Sequence, residues 1–308
     1  MERNTMKILI AYDGSECADA AVVNLRRAGI PNDAEVLLVY VIDIGSSPSI
    51  GPELQAGVAR QPSKIDLKEA KALTHNAFRW IESNFPGWNA SRQVLWGSPA
   101  TVILEKAHSW RADLIIVGSH GRSLPGRVLL GSVSLKIAHE ARCSVRVIRS
   151  ASKGDGPVRI VAGMDGSPQA RTVIEELSRR AWPKETEVRI VSVVESMAPI
   201  VAALQPAVGS ERTIVAVQDS IQRQRDQFQE IAREFHSVLE RAGLVVSEVL
   251  VEGNPKQELL AEVKRWNANS IFVGARGLGR LEEILLGSTS SSVLKNALCA
   301  VEIVRRHS

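Results

Sequence analysis

Residues 117–132 read VGSHGRSLPGRVLLGS, and residues 273–288 read VGARGLGRLEEILLGS. Each holds a glycine, two further residues, a second glycine, and then nine residues before a Gly-Ser pair. A single glycine is enough to turn a strand into a helix, so three glycines at one spacing, written twice, need another reason. The rest of the chain repeats around them. KILIAYDGS at 7–15 returns as RIVAGMDGS at 159–167, and VLLVYVID at 36–43 returns as VRIVSVVE at 188–195. The 308 residues are therefore one unit written twice, the mark of tandem domains. The offset is 152 from Asp13 to Asp165 but 156 from Gly97 to Gly253 and onward, so the second copy gains a net four residues between its second and third strands. The domains are placed at 1–150 and 157–308, joined by the polar stretch SASKGDGP at 150–157.

Within the first copy, apolar runs at 7–12, 35–42, 92–96, 113–117 and 144–149 alternate with longer stretches at 16–28, 64–84, 99–110 and 131–141. The longer stretches carry apolar residues at helical spacing, for example Leu73, Ala77, Trp80 and Ile81. The second copy follows suit, with a longer helix near 211–242 bearing Phe228, Ile231, Phe235 and Val238. Near-continuous apolar strands separated by helices predict a parallel sheet covered on both faces. The expected fold class is α/β: two tandem doubly wound five-stranded parallel-sheet sandwiches, each of strand order 3-2-1-4-5.

In such a sandwich a ligand lies beyond the carboxyl ends of the strands, where the winding reverses between the first and fourth. The first strands end in Tyr12-Asp13-Gly14-Ser15 and Met164-Asp165-Gly166-Ser167, and the fourth strands end in the glycine loops. The loops make sense as anion cradles. Gly118 and Gly121 are read as residues free to take positive φ and to bring backbone N–H groups close to a ligand. Gly131-Ser132 opens a helix whose N-terminal N–H groups point at the same space. Ser132 is open to two roles, capping that helix or binding a phosphate oxygen. Asp13 would repel a phosphate, so Asp13 and Asp165 are assigned to base or ribose, with helix capping as the alternative. Neither G-x-x-x-x-G-K-[ST] nor a G-x-G-x-x-G after the first strand occurs.

Composition narrows the classes. The chain is 44% apolar, 23% charged and only 4% aromatic, which is globular and poor in the stacking platforms that single-stranded nucleic acids need. Residues 1–150 carry 18 Lys+Arg against 14 Asp+Glu and the remainder 20 against 20, giving the net +4 without any basic block. No nucleic-acid partner is expected. Cys17, Cys143 and Cys299 are odd in number and lack C-x-x-C spacing, which fits a reducing compartment and small buried side chains. No signal-peptide core and no apolar run of about 20 residues is present, so a cytoplasmic location off the membrane is expected. His120 stands where the second copy has Arg276; with no visible partner it is read as solvent-facing or near phosphate, and no catalytic residue is assigned. The six histidines include no metal-ligand pair at helical spacing. Arg122, Arg127 and Arg280 are candidates to neutralise phosphate, and 45–62 and 197–211 are candidate lids or idle surface loops.

With the aspartate after the first strand, the doubled glycine motif and the Gly97-Ser98-Pro99 triplet in hand, the chain resembles the universal stress protein family, and its tandem form resembles the two-domain members. The likeness covers nearly the whole chain. It implies an adenine nucleotide alpha hydrolase-like fold and a site for ATP, with Mg²⁺ or Mn²⁺ bound through the phosphates and not through a protein metal site. Carried onto matching positions, Asp13 and the backbone of Val41 meet the adenosine, while Gly118, Gly121, Gly131, Ser132 and Val133 hold ribose and phosphates. Their counterparts are Asp165, Val193, Gly274, Gly277, Gly287, Ser288 and Thr289. The second copy departs at Gly253-Asn254-Pro255, where asparagine replaces serine. The resemblance further implies a homo-oligomer, with domains pairing through the last strands at 144–149 and 300–305. Three functions are compatible with these residues: an ATP-binding stress sensor or regulator, a slow ATPase or self-phosphorylating protein using the same sites, and a nucleotide-free interaction scaffold.

Overall fold

The computed structural model describes residues 5–44, 64–121, 130–149, 156–194, 211–277 and 286–306. Two compact units divide the chain, the first up to Gly154 and the second from Asp155 to Arg305. In the first unit the elements run β1 (Lys7–Ala11), α1 (Glu16–Asn24), β2 (Glu35–Ile42), α2 (Lys64–Asn84), β3 (Asn89–Trp96), α3 (Pro99–Trp110), β4 (Leu114–Gly118), α4 (Ser132–Glu140) and β5 (Ser144–Ile148). The strands lie in the order β3-β2-β1-β4-β5, all parallel, with Ile8 opposite both Val36 and Leu114. This is the expected α/β sandwich of order 3-2-1-4-5.

Burial explains why that order holds. β4 and β5 are buried at every residue and β1 at all but Lys7, as strands with helices on both faces must be. β3 has no fully buried residue and carries the exposed polar run Ser91-Arg92-Gln93, which suits the edge it occupies. Helix α1 packs against β4 and β5, α2 against β2 and β3, and α3 against β2 and α4. Each fully buried Leu or Ile in these strands contributes roughly 1.5–3 kcal/mol relative to exposure.

The second unit repeats the plan with β6 (Arg159–Met164), α5 (Pro168–Arg179), β7 (Glu187–Val194), α6 (Glu211–Arg241), β8 (Val245–Glu252), α7 (Pro255–Arg265), β9 (Ser270–Gly274), α8 (Ser288–Asn296) and β10 (Ala300–Val304). Its strand order is β8-β7-β6-β9-β10, again parallel. Helix α6 has 31 residues against 21 in α2, which accounts for the net insertion once the shorter connections beside it are subtracted. Phe235 and Leu239 of α6 join the core over β6 and β7, with Ile231 and Val238 packed against it, and Phe228 is buried as well, so the periodic residues read from the sequence form its inward stripe. Two boundaries differ from the sequence reading by more than one residue. Helix α1 stops at Asn24 and tightens into a 3-10 turn over Leu25–Arg27, and β3 begins at Asn89, where exposed Ser91 and Arg92 hide the strand signal. Residues 150–155 of the linker, the candidate lids at 45–62 and 197–210, and Arg122, Arg127 and Arg280 lie outside the described residues, while Glu211, read as the end of the second lid, opens α6.

Candidate functional site

The pairing of β1 with β4 brings the chain past Asp13 against the loop that begins at Gly118. Asp13 does not cap α1. Its Oδ1 accepts the Ser15 N–H at 3.0 Å, closing a small turn around Gly14, whose φ is 75°. The cap is Ser15, whose Oγ accepts the Ala18 N–H at 3.2 Å. That arrangement leaves Oδ2 turned toward the glycine loop: a Cβ on Gly121 would stand 2.6 Å from it. The second unit reproduces each feature. Ser167 caps α5, Asp165 Oδ1 accepts the Ser167 N–H at 3.0 Å, and a Cβ on Gly277 would collide with Asp165 Oδ2. In each unit, therefore, a half-buried carboxylate is held from one side by its own turn and presses the second glycine of the loop from the other.

The first glycine answers to packing. A Cβ on Gly118 would lie 2.9 Å from Cys17 Cβ and 3.0 Å from the Cys17 carbonyl carbon; one on Gly274 would lie 2.7 Å from Gln169 Cβ. Positive φ, expected at Gly118 and Gly121, occurs at neither, nor at Gly131, Gly274, Gly277 or Gly287. Close approach of α1 at Gly118 and of α5 at Gly274, not backbone handedness, excludes a side chain at those two positions.

The loop closes on itself. The Gly131 N–H donates to Ser119 O at 2.7 Å, and Ser134 Oγ donates to the same carbonyl at 2.7 Å. In the second unit the Gly287 N–H donates to Ala275 O at 2.8 Å and Ser290 Oγ to Gly274 O at 2.6 Å. Gly131 and Gly287 are the N-caps of α4 and α8, with extended φ of −67° and −62° and no side-chain cap bond. Ser132 and Ser288, one residue later, are exposed, with Val133 and Thr289 half-buried behind them. The alternative left open for Ser132 is thus resolved: it is not the cap. Helix N–H groups and a hydroxyl meet there, a combination suited to an anion. Val41 pairs with Leu95 near the end of β2, and Val193 with Val251 near the end of β7, two strands from β4 and β9 respectively.

The Gly-Ser-Pro triplet starts α3, where Ser98 is the N-cap but its hydroxyl makes no cap bond. At the departing position Asn254 does the capping itself, its Oδ1 accepting the Lys256 N–H at 3.0 Å. The substitution is therefore a competent helix start.

His120 departs from the sequence reading. It is half-buried, with Nδ1 3.0 Å from Ser119 Oγ and Nε2 3.4 Å from Cys17 Sγ. Its partner went unseen because Cys17 is 103 residues away and is not repeated in the second copy. Ser134 and Ser290 were also missed, although the S-x-S shared by GSVS and GSTS at one offset marks them. Beside the site, Tyr12 donates to Asp19 Oδ1 at 2.6 Å; burial, then that bond, pushes its phenol well above the ordinary range. Among the described residues, no group of three or more His, Cys, Asp or Glu is placed to hold a metal ion, and no helix is long and apolar enough to cross a membrane.

Comparison with known proteins matches this architecture at several levels. A universal stress protein of Mycolicibacterium smegmatis is 25% identical over 306 residues, covering 97% of this chain and 96% of its own. One from Methanocaldococcus jannaschii is 32% identical over 153 residues, 48% of this chain and 84% of its own. Among solved structures, a universal stress protein from Archaeoglobus fulgidus superposes with a TM-score of 0.66 at 21% identity, covering 98% of this chain and 99% of that one, a likeness of fold. The profile of the universal stress protein family matches residues 4–149 and again 158–305, so the chain, with two tandem copies of the domain, belongs to the universal stress protein family.

Proposed function

We propose that each unit binds one adenine nucleotide, ATP by preference, and that the protein acts as a two-site nucleotide sensor or regulator in a stress response. One observation carries the reading. Both units independently set an aspartate Oδ2 against the second loop glycine and set an uncapped helix N-terminus, with its exposed serine, at the other end of the same closed loop. A carboxylate beside backbone donors suits a ligand that is polar and neutral at one end and anionic at the other, as a nucleoside phosphate is.

In this reading Asp13 and Asp165 accept hydrogen bonds from the ribose or base, and the backbones of Val41 and Val193 border the adenine. Gly118, Gly121, Gly131, Ser132 and Val133 hold the ribose and phosphates in the first unit, and Gly274, Gly277, Gly287, Ser288 and Thr289 do so in the second. One helix end contributes about 0.3–1 kcal/mol to holding an anion, up to about 2 where it is partly buried, so the hydroxyl, the loop amides and burial of the base must supply the rest. Mg²⁺ or Mn²⁺, carried by the phosphates, offsets their charge. Pairing of domains through residues 144–149 and 300–305 in a homo-oligomer, and a cytoplasmic location, belong to the same proposal.

The test is to denature the purified chain and identify released nucleotide. One ATP per unit supports the sensor, whereas ADP with steady phosphate release supports a slow ATPase. Absence of nucleotide, with no thermal shift on adding ATP, leaves the scaffold reading.

A further inference from the structure

Cys17 is the second residue of α1, and its sulfur sits among groups from the far end of the first unit. His120 Nε2 is 3.4 Å from Sγ and Nδ1 3.6 Å, Ser119 Oγ is 3.7 Å away, and Sγ donates to Arg149 O at 3.2 Å. Since His120 Nδ1 also lies 3.0 Å from Ser119 Oγ, an Nδ1–H donated to that hydroxyl leaves Nε2, 3.4 Å from Sγ, as the acceptor of the ring. A nucleophile, a base and a group that orients the base are thereby brought within contact of one another. The second unit has Gln169, Ala275 and Arg276 at the matching positions, so the cluster is not needed to build the loop.

We propose that Cys17, with His120 as its base, is a site of oxidation by hydrogen peroxide, and that this oxidation disables the glycine loop of the first unit only. The thiol hydrogen turns from the Arg149 carbonyl and passes to His120 Nε2. The sulfur electron pair attacks one peroxide oxygen and the O–O bond breaks. The departing hydroxide takes the proton from His120 and leaves as water. Sulfur is oxidised by two electrons to a sulfenic acid and the peroxide is reduced. Cys17 is only 5% exposed, which excludes bulky disulfides as oxidants.

The effect on the loop follows from crowding. Gly118 already packs on Cys17 with no room for a methyl group. An oxygen added to Sγ must displace the His120 ring or the Arg149 carbonyl, and His120 adjoins Gly121, which faces Asp13. This second half rests on the nucleotide reading above.

The full chain is treated with hydrogen peroxide, and the peptides of Cys17, Cys143 and Cys299 are followed by mass. Cys17 should gain one oxygen about tenfold faster than the others despite its burial, and His120→Asn should remove that lead by taking away the base. A Cys17 that reacts no faster than Cys299, or equally fast in His120→Asn, overturns the site. Nucleotide content of the same samples should fall from two to one per chain, and Cys17→Ser should keep two. Oxidised protein that still holds two overturns the coupling to the loop. Reduced protein that holds none overturns the nucleotide reading instead, and the peptide masses still decide the thiol.

Discussion

Gly121 and Asp13 form the tightest constraint in the first unit's site, and it runs through a single absent atom. An alanine at 121 would put Cβ on the Asp13 carboxylate, and because Ser15 N holds Oδ1, the carboxylate can yield only by leaving its turn. Gly121→Ala should therefore weaken nucleotide binding at the first unit about tenfold or more, the worth of one charged hydrogen bond, with the second site as internal reference in a calorimetric titration. Unchanged affinity would remove Asp13 from the ligand. The same residues mark what was legible in the sequence. The repeat and the winding rule placed Asp13 beside the loop, across about a hundred residues. The reason for each glycine was not legible, because positive φ and close approach leave the same letter in a sequence. Nor was the Cys17–His120 contact, which one copy lacks and no periodicity announces.

At the scale of elements, the caps decide where helices begin. Ser167→Ala should destabilise the second unit by about 1 kcal/mol, while Ser167→Asp, which keeps an acceptor, should hold close to the parent, as read by denaturant unfolding. A loss of similar size in both variants would mean that the hydroxyl serves packing and not the cap. Strand and helix positions were readable wherever burial imposes a period, as on α6, whose apolar stripe meets the core. They were hidden on β3, an edge strand whose polar residues face water. The start of α4 is tied directly to the end of β4, through the Gly131 N–H and Ser134 Oγ on the Ser119 carbonyl, a contact that the nine-residue spacing alone does not reveal.

For the molecule as a whole, the two units share a frame and differ in what they bury. The second unit holds Arg180 fully buried, bonded to Glu176 at 2.8 Å and to Glu302. Burial alone pulls the guanidinium down, but the two carboxylates outweigh it and hold Arg180 above its ordinary value. Arg180→Met would take away the cation that those carboxylates face and should cost the second unit about 3–5 kcal/mol in denaturant unfolding. A cost below about 1 kcal/mol, that of a surface ion pair, would mean that the buried pair does not hold the unit together. ATP at about a hundred times its dissociation constant should stabilise each unit by about 2.7 kcal/mol, and in Gly277→Ala that gain should be confined to the first.

The tie at Ser119 has a practical corollary. Because one carbonyl receives both the Gly131 N–H and Ser134 Oγ, the start of α4 is latched to the end of β4 at a single atom. That atom can serve as a gauge: a ¹³C label on the Ser119 carbonyl would register, in its stretching frequency, any shift of the helix start against the strand.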